Sequence, residues 1–204
     1  MKLIFHPASP YSRKARVSAY EAGLWDELDF EQTGFISPIE PNATVIQANP
    51  LGKIPTLILD DGTCLADSRV ICEYFDSLKD GLKLFPEDKT ERFKALTLQA
   101  LGDGLLDASV LIRYETLIRP ESLYWSEWTK AQDSRISRIL DHFNTQCDEF
   151  KEKFNIGTIT IAVCLGYLDF RFPDNDWREG RDNLSNWFKE FSNRESMVVT
   201  TPSA

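Results

Sequence analysis

Residues 49–78, NPLGKIPTLILDDGTCLADSRVICEYFDSL, restrict the possible folds more than any other part of the chain. Four pieces follow in fixed order. A loop punctuated by Pro50 and Gly52 closes on Ile54-Pro55. Residues 56–59 are an apolar run that reads as a strand. Asp61-Gly62 is a hairpin signal, because Gly tolerates the positive φ of a type I′ turn, and residues 63–65 return as a second strand. Asp67-Ser68 opens a helix in which Ile71, Tyr74, Phe75 and Leu78 fall at i, i+3, i+4 and i+7. Pro55 lacks an N–H and has a fixed φ, so Ile54 is pushed to an extended conformation. An extended residue at a sheet edge can pair its backbone with a peptide-like ligand. The helix start leaves N–H groups unpaired at the positive end of the macrodipole. Together these features suit a small, peptide-like anion.

Upstream, residues 2–5 read as a short buried strand. Ser9-Pro10 is a helix start, with Ser as N-cap and Pro at the first helical position. That helix runs to Ala22, packs on Ala15, Ala19 and Ala22, and stops at Gly23. Residues 28–32 alternate as a half-buried strand. Pro38 and Pro41 break the next segment, and residues 43–48 suit two helical turns. The resulting β-α-β-α-β-β-α order packs helices on a mixed sheet.

Beyond residue 80 the period becomes helical. The charged, Gly- and Pro-containing stretch 79–89 is expected to separate two domains. Residues 90–117 form a long helix with Phe93, Leu96, Ala100, Leu101, Leu105, Ala108 and Ile112 inward, interrupted by Asp103-Gly104. A second helix is expected over 121–153, with Ile136, Ile139, Leu140, Phe143, Cys147 and Phe150 as its stripe. Asn155 caps an apolar helix over 156–170, where Thr158 lacks the carboxylate of a reciprocal capping box and Phe154 and Ile159 can staple the entry. A helix over 183–191 precedes a plain tail.

The net charge is −9. It is spread out, with 7 basic and 12 acidic residues before residue 81 and 16 and 20 after it. With no basic patch, nucleic acid is not an expected partner. No apolar run reaches the length of a membrane span, and the N-terminus meets His6-Pro7 too soon for a signal peptide. Cys64, Cys72, Cys147 and Cys164 form no C-x-x-C pair and lie in apolar stretches. They are expected to be buried thiols in a reducing compartment rather than redox or zinc ligands.

NPLGKIP, the Asp61-Gly62 hairpin and the Ala66-Asp67-Ser68 helix head together resemble the thioredoxin-like domain of cytosolic glutathione S-transferases. The resemblance implies an α/β thioredoxin-like domain over 1–80 that binds glutathione. An all-α domain over 88–204 would then form the pocket for a small hydrophobic electrophile, with Val110 and Tyr114 as candidate lining. In that family the proline matching Pro55 is cis. Ile54 then pairs with the cysteinyl backbone of glutathione, Asp67 and Ser68 hold its γ-glutamyl end, and Lys53 meets its glycyl carboxylate. Residues 8–16, ASPYSRKAR, resemble the serine-type motif, which implies that Ser9 stabilises the thiolate. Ser9 equally reads as a helix cap, with Ser12 and then Tyr11 as the next candidates. GYLDFRFP, residues 166–173, resembles a bacterial and fungal branch. Asp103 resembles an Asp that reaches the glutathione of the other subunit in dimeric relatives, but reads more readily as a helix charge at a kink. The family further implies a cytoplasmic homodimer active in detoxification, with glutathione as co-substrate and no metal. Two alternatives share the fold: a non-catalytic assembly or regulatory module, and a glutathione-dependent lyase, reductase or isomerase.

Overall fold

β1 (Lys2–Phe5) is the strand around which the first part of the chain assembles, with Leu3 and Ile4 almost wholly buried. In this computed structural model the described residues are 1–34, 37–40, 42–78, 80–81 and 83–203. Pro41, read as a breaker, and Lys79, read as the start of the interdomain stretch, lie outside them. The chain divides into two compact units. One comprises residues 1–92 together with the C-terminal residues from Glu195 on, and the other comprises residues 93–194.

In the first unit α1 (Pro10–Glu21) follows β1 and returns the chain to β2 (Asp29–Gln32), which pairs with β1 in parallel. Gly23 has φ +70, as expected of a residue just past a helix end. After α2 (Ala43–Ala48) the hairpin of β3 (Thr56–Ile58) and β4 (Cys64–Leu65) completes a mixed sheet in the order β2-β1-β3-β4. α3 (Ser68–Leu78) packs beside α1. The fold expectation therefore holds, with several local differences.

The hairpin turn is not type I′. That turn requires positive φ at both central residues, and here Gly62 alone has it, at φ +86. The Gly62 N–H donates to the Leu59 carbonyl and the Leu59 N–H to the Thr63 carbonyl, so Asp60 and Asp61 form the turn and Gly62 the bulge. Cys64 consequently sits on an exposed edge, whereas the other three cysteines are buried. On α3 the buried residues are Ser68, Ile71, Cys72, Phe75 and Asp76, while Leu78 is exposed. Asp76 turns inward because its carboxylate accepts the N–H of the buried Leu84 at 2.5 Å. Leu84 and Phe85 are both buried, so the stretch expected to be an interdomain linker packs with the first unit up to Arg92. The tail also carries structure: α9 (Glu195–Val199) buries Met197 and packs on α1.

The second unit begins within α4 (Lys89–Leu117) and continues through α5 (Ser126–Thr145), α6 (Cys147–Phe150), α7 (Ile156–Arg171) and α8 (Asp182–Phe191). The single helix expected over 121–153 is thus a 3-10 turn (Glu121–Leu123) followed by α5 and α6. Leu105, Ala108 and Ile112 of α4 are buried as read, but the stripe also takes in Ala95, Gln99, Gly102, Asp103, Leu106 and Ser109, while Phe93 and Ala100 are exposed. Hydrophobic periodicity passes over such a stripe because it includes Gln, Asp and Ser. By length and composition α4 could also cross a bilayer, and half of its apolar window is buried in the protein.

The close-packed glycine of α4 is Gly102 rather than Gly104. A Cβ on Gly102 would stand 2.7 Å from Thr160 Cγ2, whereas one on Gly104 meets nothing within 4 Å. α7 enters the core through a complete capping box. The Asn155 Oδ1 accepts the Gly157 and Thr158 N–H groups at 2.9 and 3.2 Å. The Thr158 hydroxyl oxygen accepts the Asn155 N–H at 3.0 Å. A hydroxyl therefore performs the reciprocal role that the sequence reading reserved for a carboxylate. The Phe154 ring stacks on Phe191 at 5.8 Å.

Candidate functional site

The strand register brings the singled-out residues of the first unit to one end of the sheet. Ile4 pairs with Thr56 across β1 and β3, and Leu57 with Leu65 across β3 and β4. Continuing the β1–β3 register by one residue and the β3–β4 register by two places Phe5, Pro55 and Asp67 in one row. Beyond the row lie the loop that carries Ser9, the Ile54 peptide and the start of α3.

The Ile54–Pro55 bond is cis, as the family resemblance implied, and the Ala66–Asp67 bond is cis as well. Ile54 is half-buried and Pro55 buried. Among the described residues, neither the N–H nor the carbonyl of Ile54 hydrogen-bonds to the chain itself. These groups have the character required for pairing with an extended ligand.

The loop before Ile54 is held by a residue to which the sequence reading gave no role. Asn49 is buried, and its Nδ2 donates to the Lys53 carbonyl at 2.9 Å and to the Thr56 hydroxyl oxygen at 3.1 Å. Its Oδ1 accepts the Leu51 N–H at 3.0 Å, an Asx turn. The Thr56 hydroxyl donates to the same Lys53 carbonyl at 2.9 Å. Gly52, at φ +61, allows the reversal. The signal available in sequence was the Asn-Pro-x-Gly order, in which a side-chain amide stands in for a backbone turn. Lys53 itself is exposed.

At the head of α3 the Asp67 carboxylate accepts the Arg69 N–H at 2.9 Å, and the Asp67 carbonyl accepts the Ile71 N–H at 3.0 Å. Asp67 is exposed and Ser68 is buried in the first turn. An anion near Ser68 meets the positive end of an 11-residue helix.

Ser9 is the N-cap of α1, with extended backbone angles of φ −81 and ψ 121. Its Oγ accepts the Ser12 N–H at 3.2 Å, and its carbonyl accepts the Arg13 N–H at 2.9 Å. His6 shapes the approach: its Nδ1 accepts the Ala8 N–H, and its carbonyl accepts the Ser9 N–H. A hydroxyl that accepts from a cap N–H keeps its own proton available to donate. The cap role and a donor role therefore coexist at Ser9. Ser12 is fully buried, and its Oγ has no hydrogen-bond partner among the described residues. Tyr11 is half-buried.

α1 also carries buried basic residues. Arg13 is buried, and its guanidinium is pushed down to about 10 by burial, with repulsion from Arg16 adding to it. Arg16 lies over the Phe5 ring at 4.8 Å and the Trp25 ring at 5.7 Å, and burial pushes its guanidinium down too.

In the second unit Val110 is half-buried, and burial raises the phenol of Tyr114. Asp103 is buried inside its own chain, which supports its reading as a helix residue. Among the described residues, no three or more His, Cys, Asp or Glu side chains gather as a metal group.

The family models described as glutathione S-transferase, N-terminal domain and C-terminal domain match residues 8–78 and 126–190. The uncharacterized GST-like protein YibF of Escherichia coli K12 is 32% identical over 99% of this chain and 98% of its own length. The structure of a glutathione transferase family member from Pseudomonas fluorescens Pf-5 with bound glutathione superposes with a TM-score of 0.96. It is 43% identical over 100% of this chain and 99% of that one. A structure of a family member from the same organism with bound S-(propanoic acid)-glutathione gives a TM-score of 0.92 at 41% identity, covering all of both chains. The chain belongs to the glutathione S-transferase family and is a glutathione S-transferase-like enzyme.

Proposed function

We propose that this enzyme binds glutathione at Ile54, Asp67 and Ser68 and stabilises its thiolate for attack on a small hydrophobic electrophile. Ser9 donates a hydrogen bond from its hydroxyl to the sulfur, whose own proton passes to solvent as the thiolate forms. The cis Ile54–Pro55 peptide pairs with the cysteinyl backbone, the head of α3 takes the γ-glutamyl carboxylate, and Lys53 meets the glycyl carboxylate. The sulfur lone pair then forms the new C–S bond, and the electrons displaced from the electrophilic carbon leave with its leaving group or its π bond. The observation that carries this reading is the gathering at one sheet end of a donor hydroxyl, an extended peptide group and a helix N-terminus. The glutathione and the S-substituted glutathione bound by relatives above 40% identity support it.

A free thiol titrates near 8.5, and each unit of depression corresponds to about 1.4 kcal/mol in favour of the anion. One aimed hydroxyl and one helix end are sufficient sources for one or two such units. Calorimetry is expected to show saturable glutathione binding in the micromolar to millimolar range, weakened by Ser68→Ala. No saturable heat at millimolar glutathione would refute the reading and favour a non-catalytic module.

The reading extends to a homodimer. α4 is the proposed interface helix, on which Phe93 and Leu111 are exposed. Light scattering at micromolar concentration should return twice the chain mass of 23.4 kDa, and the single-chain mass would count against it.

A further inference from the structure

α9 has five residues, too few to stand alone as a helix. Its last carbonyls have no partner within the helix. The Thr200 hydroxyl donates to the Ser196 carbonyl at 2.6 Å, and the Thr201 hydroxyl to the Val198 carbonyl at 2.7 Å. The Met197 carbonyl accepts Arg13 Nη2 at 3.0 Å, a bond formed in the protein interior across 184 residues of sequence. Ser196, Met197 and Thr200 are each 1% exposed or less. The segment therefore has a built seat on α1.

The seat grips α1 at both ends. Arg13 belongs to the first turn, where its own N–H bonds the Ser9 carbonyl. At the last turn the Ser196 hydroxyl donates to Glu21 at 2.6 Å, and the Tyr20 hydroxyl bonds Glu195. A buried guanidinium needs an acceptor, because stranding one costs far more than an exposed charge would.

We propose that residues 195–203 are a brace that fixes the first turn of α1, and with it the Ser9 hydroxyl, through the bond from Arg13 to the Met197 carbonyl. Arg13, Glu195 and Ser196 are positioning residues. The inference rests on Ser9 as thiolate donor, and its test is readable without glutathione.

The measurement is amide hydrogen exchange on three proteins: the intact chain, a chain stopped after Arg194, and the Glu195→Gln/Ser196→Ala double variant. The Ser12 and Arg13 amides, which bond Ser9 Oγ and the Ser9 carbonyl, should exchange at least roughly 10-fold faster in the truncated chain. The Ile71 amide at the head of α3 should stay within about 3-fold. The double variant should shift Ser12 and Arg13 in the same direction by a smaller factor. Arg13→Lys, which keeps a charged donor, should stay near the intact protein, whereas Arg13→Met should follow the truncated one. The bound thiolate should then titrate higher in the truncated chain. Uniform acceleration of α1 and α3 alike would reduce the segment to general stability and overturn the proposal. If the truncated chain does not fold, the double variant decides, and unchanged Ser12 and Arg13 exchange there would overturn it. An intact protein that binds no glutathione while showing the selective exchange pattern would refute the function and leave the brace standing.

Discussion

Replacing Ser9 by Ala is expected to lower turnover by roughly 10- to 150-fold at neutral pH while leaving glutathione affinity nearly intact. The range corresponds to losing one oriented hydrogen bond to a charged sulfur, about 1.5–3 kcal/mol. Affinity should persist because the proposed backbone pairing at Ile54 and anion capture at Ser68 do not involve Ser9. The cap complicates the experiment, since Ser9 Oγ accepts the Ser12 N–H. Losing a cap to Ala costs about 1 kcal/mol of stability, whereas Gly at the same position costs only a few tenths. Ser9→Gly is therefore the control. Both variants lack the hydroxyl, so both should lose rate, while only Ala should lose much stability. Steady-state kinetics beside thermal melts separates the two effects. Wild-type turnover in Ser9→Gly would move the assignment to Ser12, whose buried Oγ has no partner among the described residues.

The largest expected effect on stability lies at the entry of α7. A Cβ on Gly157 would stand 2.7 Å from the Ala95 carbonyl oxygen and 2.8 Å from Leu98 Cβ. Neither is the free end of a flexible side chain. Gly157→Ala should therefore fall at the severe end of overpacking, about 3 kcal/mol. That corresponds to a melting temperature lower by roughly 6–12 °C for a chain of this size. Gly104→Ala should act in the opposite direction. Its Cβ meets nothing within 4 Å, and the helix gains about 0.5–1 kcal/mol from the better helix former. Thermal melts of the two variants should bracket the wild type, and a destabilised Gly104→Ala or a neutral Gly157→Ala would contradict the packing described.

The elements whose signals are local were legible in the sequence. Ser9-Pro10 begins α1 and Gly23 follows its end because a cap, an N1 proline and a positive-φ glycine are each decided within a few residues. The α7 start at Asn155 was legible in the same way, whereas α2 (Ala43–Ala48) was read only as room for two turns and its cap, Asn42, was not noticed. What escaped was burial of polar residues. The inner face of α4 includes Gln99, Asp103 and Ser109, which an apolar count assigns to solvent. Arg13 and Lys14 are buried on α1, and for Arg13 the partner, the Met197 carbonyl, lies far away in sequence. The tail looked plain because its five-residue helix has a single well-buried apolar residue and takes its remaining support from hydroxyls and from Arg13.

The candidate site was partly legible for a related reason. Ile54, Pro55, Asp67 and Ser68 occur in a fixed order whose combination resembles one family, although each piece alone is an ordinary hairpin or cap. Asn49 was overlooked because its role depends on a carbonyl at Lys53 and a hydroxyl at Thr56, and their meeting follows from the fold of the loop. At Thr158 a hydroxyl closes the capping box, since the acceptor needed there is any oxygen at 3.0 Å and not specifically a carboxylate.

The most direct test of thiolate stabilisation at Ser9 is an ultraviolet titration of bound glutathione against pH, comparing the wild type with Ser9→Ala and Ser9→Gly. The wild-type complex should ionise one to two units below the free thiol value near 8.5. Both variants should return most of the way toward that value, with binding retained. A bound thiol that titrates at the same pH in all three proteins would contradict the assignment of Ser9.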